Sequence, residues 1–264
     1  VQALQRQGEI VAVTGDGVND VPALQGADIG IAMGERGTRP AREVASIVLL
    51  DDNFRTIVRA ISEGRQLFYN LKLSFAYLLM VHLPLVASAA LIPLFGYPLL
   101  YLPAHIVWLE LIIHPTALLV FQQLPTSEEL ETVNRQSRLR FFNLQEWMVI
   151  ACVGVLVTLL VILGYHHSLG ADNDVAHARS MAMVALIVAG AAVTSTLSGL
   201  RSRSANIAVA ATISSALIIV QLEPVAQLLH LNPLHFTDWM LAALGGLLTG
   251  ALAGFMRLTR PTSS

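Results

Sequence analysis

The chain has 264 residues, 55% of them hydrophobic and 13% charged, with a mean hydropathy of +0.63; these values exclude an ordinary soluble domain and require most of the chain to be buried in lipid. A net charge of −2 with no basic run excludes nucleic acid as a partner, because displacing counterions from phosphates needs a positive stripe. The single cysteine, Cys152, excludes a disulfide framework and any CxxC or Cys/His metal pattern, and within its apolar run it is expected to be a buried small side chain. Charge is unevenly placed: up to Lys72 the chain carries eight of its sixteen Lys and Arg and nine of its eighteen Asp and Glu. That split marks a domain boundary. The first residues lack both an initiating Met and the apolar core of a signal peptide, so the chain reads as cut from something longer.

In chain order, Glu9 to Thr14 is a short apolar run that ends in a Gly-Asp-Gly turn, the pattern of a buried parallel strand. Asn19 to Gln25 predicts a helix with Pro22 in its first turn. Ile29 to Met33 predicts a second strand, Thr38 to Ala45 a short helix and Ile47 to Leu50 a third strand. The alternation predicts the edge of an α/β sheet with polar groups at strand C-terminal ends, and 1–52 is too short for a complete domain of that type. Residues 53–72 place Phe54, Ile57, Val58 and Ile61 at helical spacing among charged neighbours, an amphipathic connecting helix that leads into the membrane.

Beyond Lys72 six apolar stretches approach membrane-spanning length, at about 73–95, 100–122, 146–166, 180–200, 205–222 and 238–256, followed by a tail at 258–264. The connections at 123–145 and 201–204 and the region after 256 hold Arg135, Arg138, Arg140, Arg201, Arg203, Arg257 and Arg260, whereas the other three hold only Arg179. By the positive-inside rule the first set, the N-terminal portion and the C-terminus share the cytoplasmic side, which an even number of spans satisfies. The domain 73–257 is therefore expected to be a multi-pass bundle surrounded by membrane lipid.

Chemistry concentrates at 14–20. Asp16 and Asp20 with Asn19 put two carboxylates and an amide at the end of a strand and the start of a helix, a set that can hold Mg2+ through oxygens while backbone N–H groups face a phosphate. Gly15 and Gly17 let the chain turn sharply there. The full string Thr14-Gly15-Asp16-Gly17-Val18-Asn19-Asp20-Val21-Pro22-Ala23-Leu24 resembles the hinge segment TGDGVNDAPAL of the P-type ATPases, with Val21 in place of the usual Ala. The likeness continues through Ala27 to Gly34, Gly37-Thr38, Ala41 to Ser46, Leu50 to Phe54 and Glu63-Gly64-Arg65, and it covers the whole polar part.

That resemblance implies a partial haloacid-dehalogenase-like, Rossmann-like α/β phosphorylation domain followed by an all-α polytopic bundle of six helices, the fifth to tenth of the family. It implies ATP and Mg2+ as cofactors, with the nucleotide site mostly outside this chain. Asp16 becomes a Mg2+ ligand, Asn19 a contact to the phosphoryl group and Asp20 a second carboxylate of the metal site that orients it, with Thr14, Gly15 and Gly17 as the backbone cradle. The phosphorylated aspartate of the DKTGT motif, the nucleotide-binding and actuator domains, the first four membrane helices and the phosphate-binding lysine are not in this sequence, so the N-terminal part of the same pump is an implied partner. The implied location is the plasma, or inner, membrane. Ile47 departs from the acidic residue the family often has there, away from the metal cluster.

A charge at bilayer depth costs about 2.5 to 3.5 kcal/mol on insertion scales and marks a path. Glu110 is the one carboxylate deep within an apolar span, His114 lies one helical turn on, and His82 stands on the preceding helix, so the three can form one polar cluster for a transported cation. Pro84 and Pro115 free carbonyls nearby. In the calcium pumps the sixth helix reads like WVNLVTDG; here Trp108-Leu109-Glu110-Leu111-Ile112-Ile113-His114-Pro115 replaces Asn by Glu110, Thr by Ile113 and the ion-binding Asp by His114, which removes the basis for calcium specificity. One carboxylate with two imidazoles suits a proton or singly charged cation better than calcium, and zinc stays open. Thr194, Ser195, Thr196 and Ser198 are weaker candidates, since small hydroxyl residues commonly serve helix contact. Two other readings remain open at this point: a truncated membrane protein that no longer pumps, and a secondary transporter with a small polar head.

Overall fold

The computed structural model describes residues 1–122, 124, 141–172 and 174–258, with backbone alone at 171–172 and 257–258. Arg135, Arg138, Arg140 and Arg260, the side chain of Arg257 and the tail beyond Leu258 lie outside the described residues. The chain divides into two units, Val1–Arg65 and Gln66–Ser264.

In the first unit helix α1 (Gln2–Arg6) precedes strand β1 (Ala12–Gly15), a one-turn 3-10 segment (Val18–Asp20), α2 (Val21–Gly26), β2 (Ile29–Met33), α3 (Arg39–Val44) and β3 (Ile47–Leu49). Both middle helices carry proline in their first turn, where the missing N–H costs nothing. The strands form a parallel sheet in the order β1-β2-β3, with Thr14 beside Ile31 and Ile31 beside Ile47. Parallel strands are ordinarily buried on both faces, and β2 is from Gly30 to Met33, whereas β1 alternates exposed and half-buried residues, which corrects the expectation of a buried strand there. Accordingly β2 sends Ala32 to a cluster with Leu24 and Ala41, and Ile31 and Met33 to another with Leu49 and Ile57.

Two carboxylates pin the loops of this unit. Asp28 accepts the Val11 N–H at 2.8 Å and the Gln5 amide at 3.2 Å. Asp52 accepts the N–H groups of Gly34, Glu35 and Arg36 at 2.7, 3.1 and 2.8 Å. Partial burial pulls the Asp52 carboxyl up, but the three N–H donors and the Arg36 guanidinium outweigh it, so Asp52 titrates below the usual carboxylate range. The Val11 N–H and the Gln5 amide do the same for Asp28.

The second unit begins within α4 (Phe54–Leu94), one 41-residue helix that carries the amphipathic segment and the first apolar span without a break. It is followed by α5 (Pro103–Thr116), which passes into a π-helical turn at Ala117–Phe121, then α6 (Leu144–Asp172), α7 (Val175–Ser198), α8 (Arg203–Gln221), the short α9 (Glu223–Leu228) and α10 (Phe236–Leu258). Six of these helices are long and apolar enough to cross a membrane, α5 with its π turn counting as one. The hydrophobic window of α7 is 78% buried against 22% for α8 and 28% for α6, so α7 is the interior helix and the others turn apolar faces outward, as lipid allows. α10 approaches α7 through small residues: a Cβ on Gly246 would stand 2.7 Å from Val188 Cγ1, and one on Gly250 would stand 3.1 Å from Thr196 Oγ1. α7 ends at Gly199, whose φ of 63° is the left-handed cap that glycine adopts without penalty.

Polar residues in the bundle are mostly paired. Lys72 Nζ on α4 meets Glu146 Oε1 on α6 at 2.6 Å, and Glu146 also closes a capping box with Asn143. His105, fully buried, accepts the Leu102 N–H at Nδ1 and donates from Nε2 to the Leu229 carbonyl at 2.7 Å, which ties α5 to the end of α9. The expectation for Cys152 is corrected: it is exposed on the outer face of α6. Hydropathy alone does not separate a side chain buried in protein from one facing lipid, and α6 presents much of its apolar surface outward.

Candidate functional site

The turn after β1 is built around Asp20. Its Oδ2 accepts the N–H of Asp16 at 3.0 Å and that of Gly17 at 2.9 Å, so this oxygen is committed to shaping the turn. A Cβ on Gly15 would stand 2.5 Å from Asp20 Cβ, which is why the strand must end in glycine for the carboxylate to fold back beneath it. The Asp16 carbonyl accepts the Thr38 N–H at 2.7 Å and thereby anchors the turn to the start of α3. Asp16 and Asn19 are exposed while Asp20 is half-buried. The arrangement leaves a carboxylate and an amide as hard oxygen donors at the C-terminal end of a parallel strand, a donor set that fits Mg2+ and a phosphate.

In the second unit α4 and α5 bring His82, Glu110 and His114 together. His114 Nδ1 lies 2.7 Å from Glu110 Oε2, and His82 Nε2 lies 3.4 Å from Glu110 Oε1, one imidazole for each carboxylate oxygen. The two rings meet edge to face at 5.7 Å. His82 Nδ1 is held by the Leu78 carbonyl at 3.0 Å, which leaves Nε2 for the cluster. Glu110 Oε2 is buried without an aligned hydrogen bond, whereas the His114 side chain is 59% exposed. The cluster is therefore half-buried at His82 and Glu110 and open at His114. Three ligand atoms lie within 4.8 Å of one another, a spacing that can hold a cation or share protons. One turn beyond His114, α5 widens into its π-helical turn, a distortion that frees backbone groups and recurs at functional sites.

A model described as cation transporting ATPase, C-terminus, matches residues 98–259. The chain belongs to the P-type cation-transporting ATPases. Among curated relatives, the calcium-transporting ATPase of Bacillus subtilis is 33% identical over 278 residues, which cover 98% of this chain and 30% of that protein. The endoplasmic reticulum-type calcium-transporting ATPase 2 of Arabidopsis thaliana is 36% identical over 167 residues, 60% of this chain and 16% of the relative. The sodium/potassium-transporting ATPase subunit alpha of Hydra vulgaris is 52% identical over 99 residues, 38% of this chain and 10% of the relative. The chain thus spans less than a third of the length of these curated relatives.

Within this P-type ATPase chain a small cavity of about 20 Å³, room for a water molecule, lies between α4, α5, α7 and α8 and is lined by Tyr77, Leu109, Gly190, Thr194 and Thr212. Of the four α7 hydroxyls singled out in the sequence, three donate within their own helix: Thr194 to the Gly190 carbonyl at 2.9 Å, Ser195 to Ala191 at 2.8 Å and Ser198 to Thr194 at 2.7 Å. Their protons are engaged, and only lone pairs remain for a ligand.

A second histidine and carboxylate group escaped the sequence reading. His177 from α7 and His235 and Asp238 from the start of α10 gather their ligand atoms within 4.8 Å of one another. Only the His235-Asp238 spacing of three residues hinted at it. His177 comes from a different helix, and hydropathy places it merely near a span end.

Proposed function

We propose that this chain is the C-terminal part of an ATP-driven cation pump, in which formation and hydrolysis of an aspartyl phosphate are coupled to cation movement through the His82, Glu110 and His114 cluster. The observation that carries the reading is the convergence of two imidazoles on the two oxygens of one mid-span carboxylate, at 3.4 and 2.7 Å. A charge at that depth is retained for what it binds.

The first unit supplies one edge of a haloacid-dehalogenase-like domain. Among the described residues β1 pairs only with β2, and a longer sheet continues naturally from its other side. Asp16 is the residue we assign to a Mg2+ ion, Asn19 to the phosphoryl group, and Asp20 to orienting both through the N–H bonds it accepts. When bound, Mg2+ neutralises charge on the phosphoryl oxygens. The turn itself keeps Asp16 and Asn19 at the strand end. The aspartate that is phosphorylated belongs to the part of the pump outside this chain.

In the membrane, a carboxylate paired with two imidazoles can pass from neutral to charged as a cation replaces protons, and the exposed flank of His114 is where a further helix of the full pump closes the site. The set favours a proton or singly charged cation over calcium, which seeks six to eight oxygens. The relatives include calcium and sodium/potassium pumps, and neither name transfers to a site whose ligands are imidazoles. The fifth to tenth helices of the family correspond to the six spans, with the N-terminal unit and C-terminus cytoplasmic and the bundle in the plasma membrane.

The test is a screen of ATPase stimulation by protons, sodium, potassium, magnesium, calcium, manganese and zinc in the full-length protein, with Asp16→Asn as the blank. We expect stimulation by proton or monovalent cation and no turnover in Asp16→Asn. Full activity in that variant would refute the assignment of Asp16, and stimulation by calcium alone would refute the reading of the cluster.

A further inference from the structure

We infer that the chain carries a second cation site, for a divalent ion of the zinc class, made by His177, His235 and Asp238 at one end of the bundle. It uses none of the residues of the transport cluster and does not rest on that reading.

The geometry separates the two groups. Zinc bound to nitrogen and oxygen at about 2.0 to 2.1 Å in a tetrahedron places neighbouring ligand atoms about 3.3 to 3.4 Å apart. His177 Nε2 lies 3.3 Å and His235 Nδ1 3.4 Å from Asp238 Oδ2, both the edge length of such a tetrahedron. In the transport cluster the edges are 3.4 and 2.7 Å, so only one of the two matches such a tetrahedron. Two ligands of the end-of-bundle group are drier than any in the transport cluster, the His177 and Asp238 side chains being 8% and 14% exposed, while His235 stands at the open side.

Independent support comes from His177 Nε2, a buried nitrogen that faces this carboxylate and has no hydrogen-bond partner among the described residues. Its Nδ1 is held at 2.6 Å by Ser168 on α6. In the tautomer that donates Nδ1–H to Ser168, Nε2 turns a lone pair toward an anionic oxygen, an arrangement that a cation between them resolves. Histidine ligands of metals are ordinarily oriented by such a partner on the other ring nitrogen. The carboxylate is fixed as well. The His235 N–H donates to Asp238 Oδ2 at 2.9 Å, which locks the carboxylate, and Asn232 ties the preceding loop to α7 through Asp174 and, at 3.0 Å, Ser180. A tetrahedral ion bound here has three protein ligands and a fourth position for water, and it joins α7 to α10 with α6 in support.

The experiment is a titration of the chelator-washed full-length protein with Co2+ alone, read by its visible absorption, followed by competition with Zn2+. We expect one tight equivalent with the intense spectrum of tetrahedral cobalt, retained in Glu110→Gln, abolished in His177→Gln and weakened at least tenfold in His235→Gln. The His235 side chain is 74% exposed, so its replacement leaves folding intact and keeps the test decisive even where the His177 variant misfolds. Absence of the spectrum in the unmodified protein, or its persistence unchanged in His235→Gln, overturns the proposal. Loss in Glu110→Gln with retention in His235→Gln also overturns it and assigns the ion to the transport cluster.

Discussion

Two groups of two imidazoles and one carboxylate stand in parts of the bundle that are packed very differently. His82, Glu110 and His114 lie between α4 and α5, where Val107, Leu111 and Leu118 are also exposed and the carboxylate engages each imidazole with a separate oxygen. His177, His235 and Asp238 lie where α10 closes on α7, the most buried helix, and both imidazoles converge on one oxygen. Similar ligands therefore carry different expectations. A cluster of half-buried and exposed ligands with one contact of 2.7 Å suits cargo that must enter and leave, whereas one with two buried ligands and both spacings close to a metal polyhedron suits an ion that stays.

The comparison can be broken first through packing. Gly246→Val forces a side chain into the contact with Val188 and should cost about 2 kcal/mol, with thermal unfolding in detergent as the measure. Metal binding at the α7–α10 group should fall with it, while ion-stimulated activity per folded molecule changes less. Equal loss of both would show that the two groups share one packing unit.

Acid sharpens the contrast with the first unit, whose loops hang on carboxylates. Asp28 and Asp52 titrate below their ordinary range when folded, so their stabilisation is complete above that range and disappears as pH falls through the lowered native values. Pepsin should therefore cut the Val1–Arg65 unit increasingly as pH drops from about 4 to 2, and Asp52→Asn should flatten that dependence. Cleavage independent of pH would remove these carboxylates from the account. The smallest effect is expected at Ser195→Ala, within about 0.5 kcal/mol in stability and with unchanged ion dependence, because that hydroxyl is spent on the Ala191 carbonyl.

The turn at Thr14 to Asp20 was legible because its residues are contiguous, and the strand, turn and helix around it follow from local pattern. The six spans were legible because lipid demands length and apolarity from each helix separately. His82, Glu110 and His114 could be placed together because two of them share a helix face and the third sits on the neighbouring helix. The α7–α10 group was not legible, since Ser168, His177 and the His235-Asp238 pair come from three helices whose packing depends on glycine contacts such as Gly246 against Val188. Nor could the sequence show that Cys152 faces outward, or that one oxygen of Asp20 is already used by the turn. Both depend on which face of an element meets which neighbour, and residue type does not encode that alone.

The role of Glu110 as carrier of the transported ion decides between these readings of the bundle. The most direct measurement is Glu110→Gln in the full-length protein, assayed both for ion-stimulated ATP hydrolysis and for phosphorylation from inorganic phosphate. Loss of ion stimulation with phosphorylation from phosphate intact is expected, and an unchanged ion dependence would remove Glu110 from the ion path.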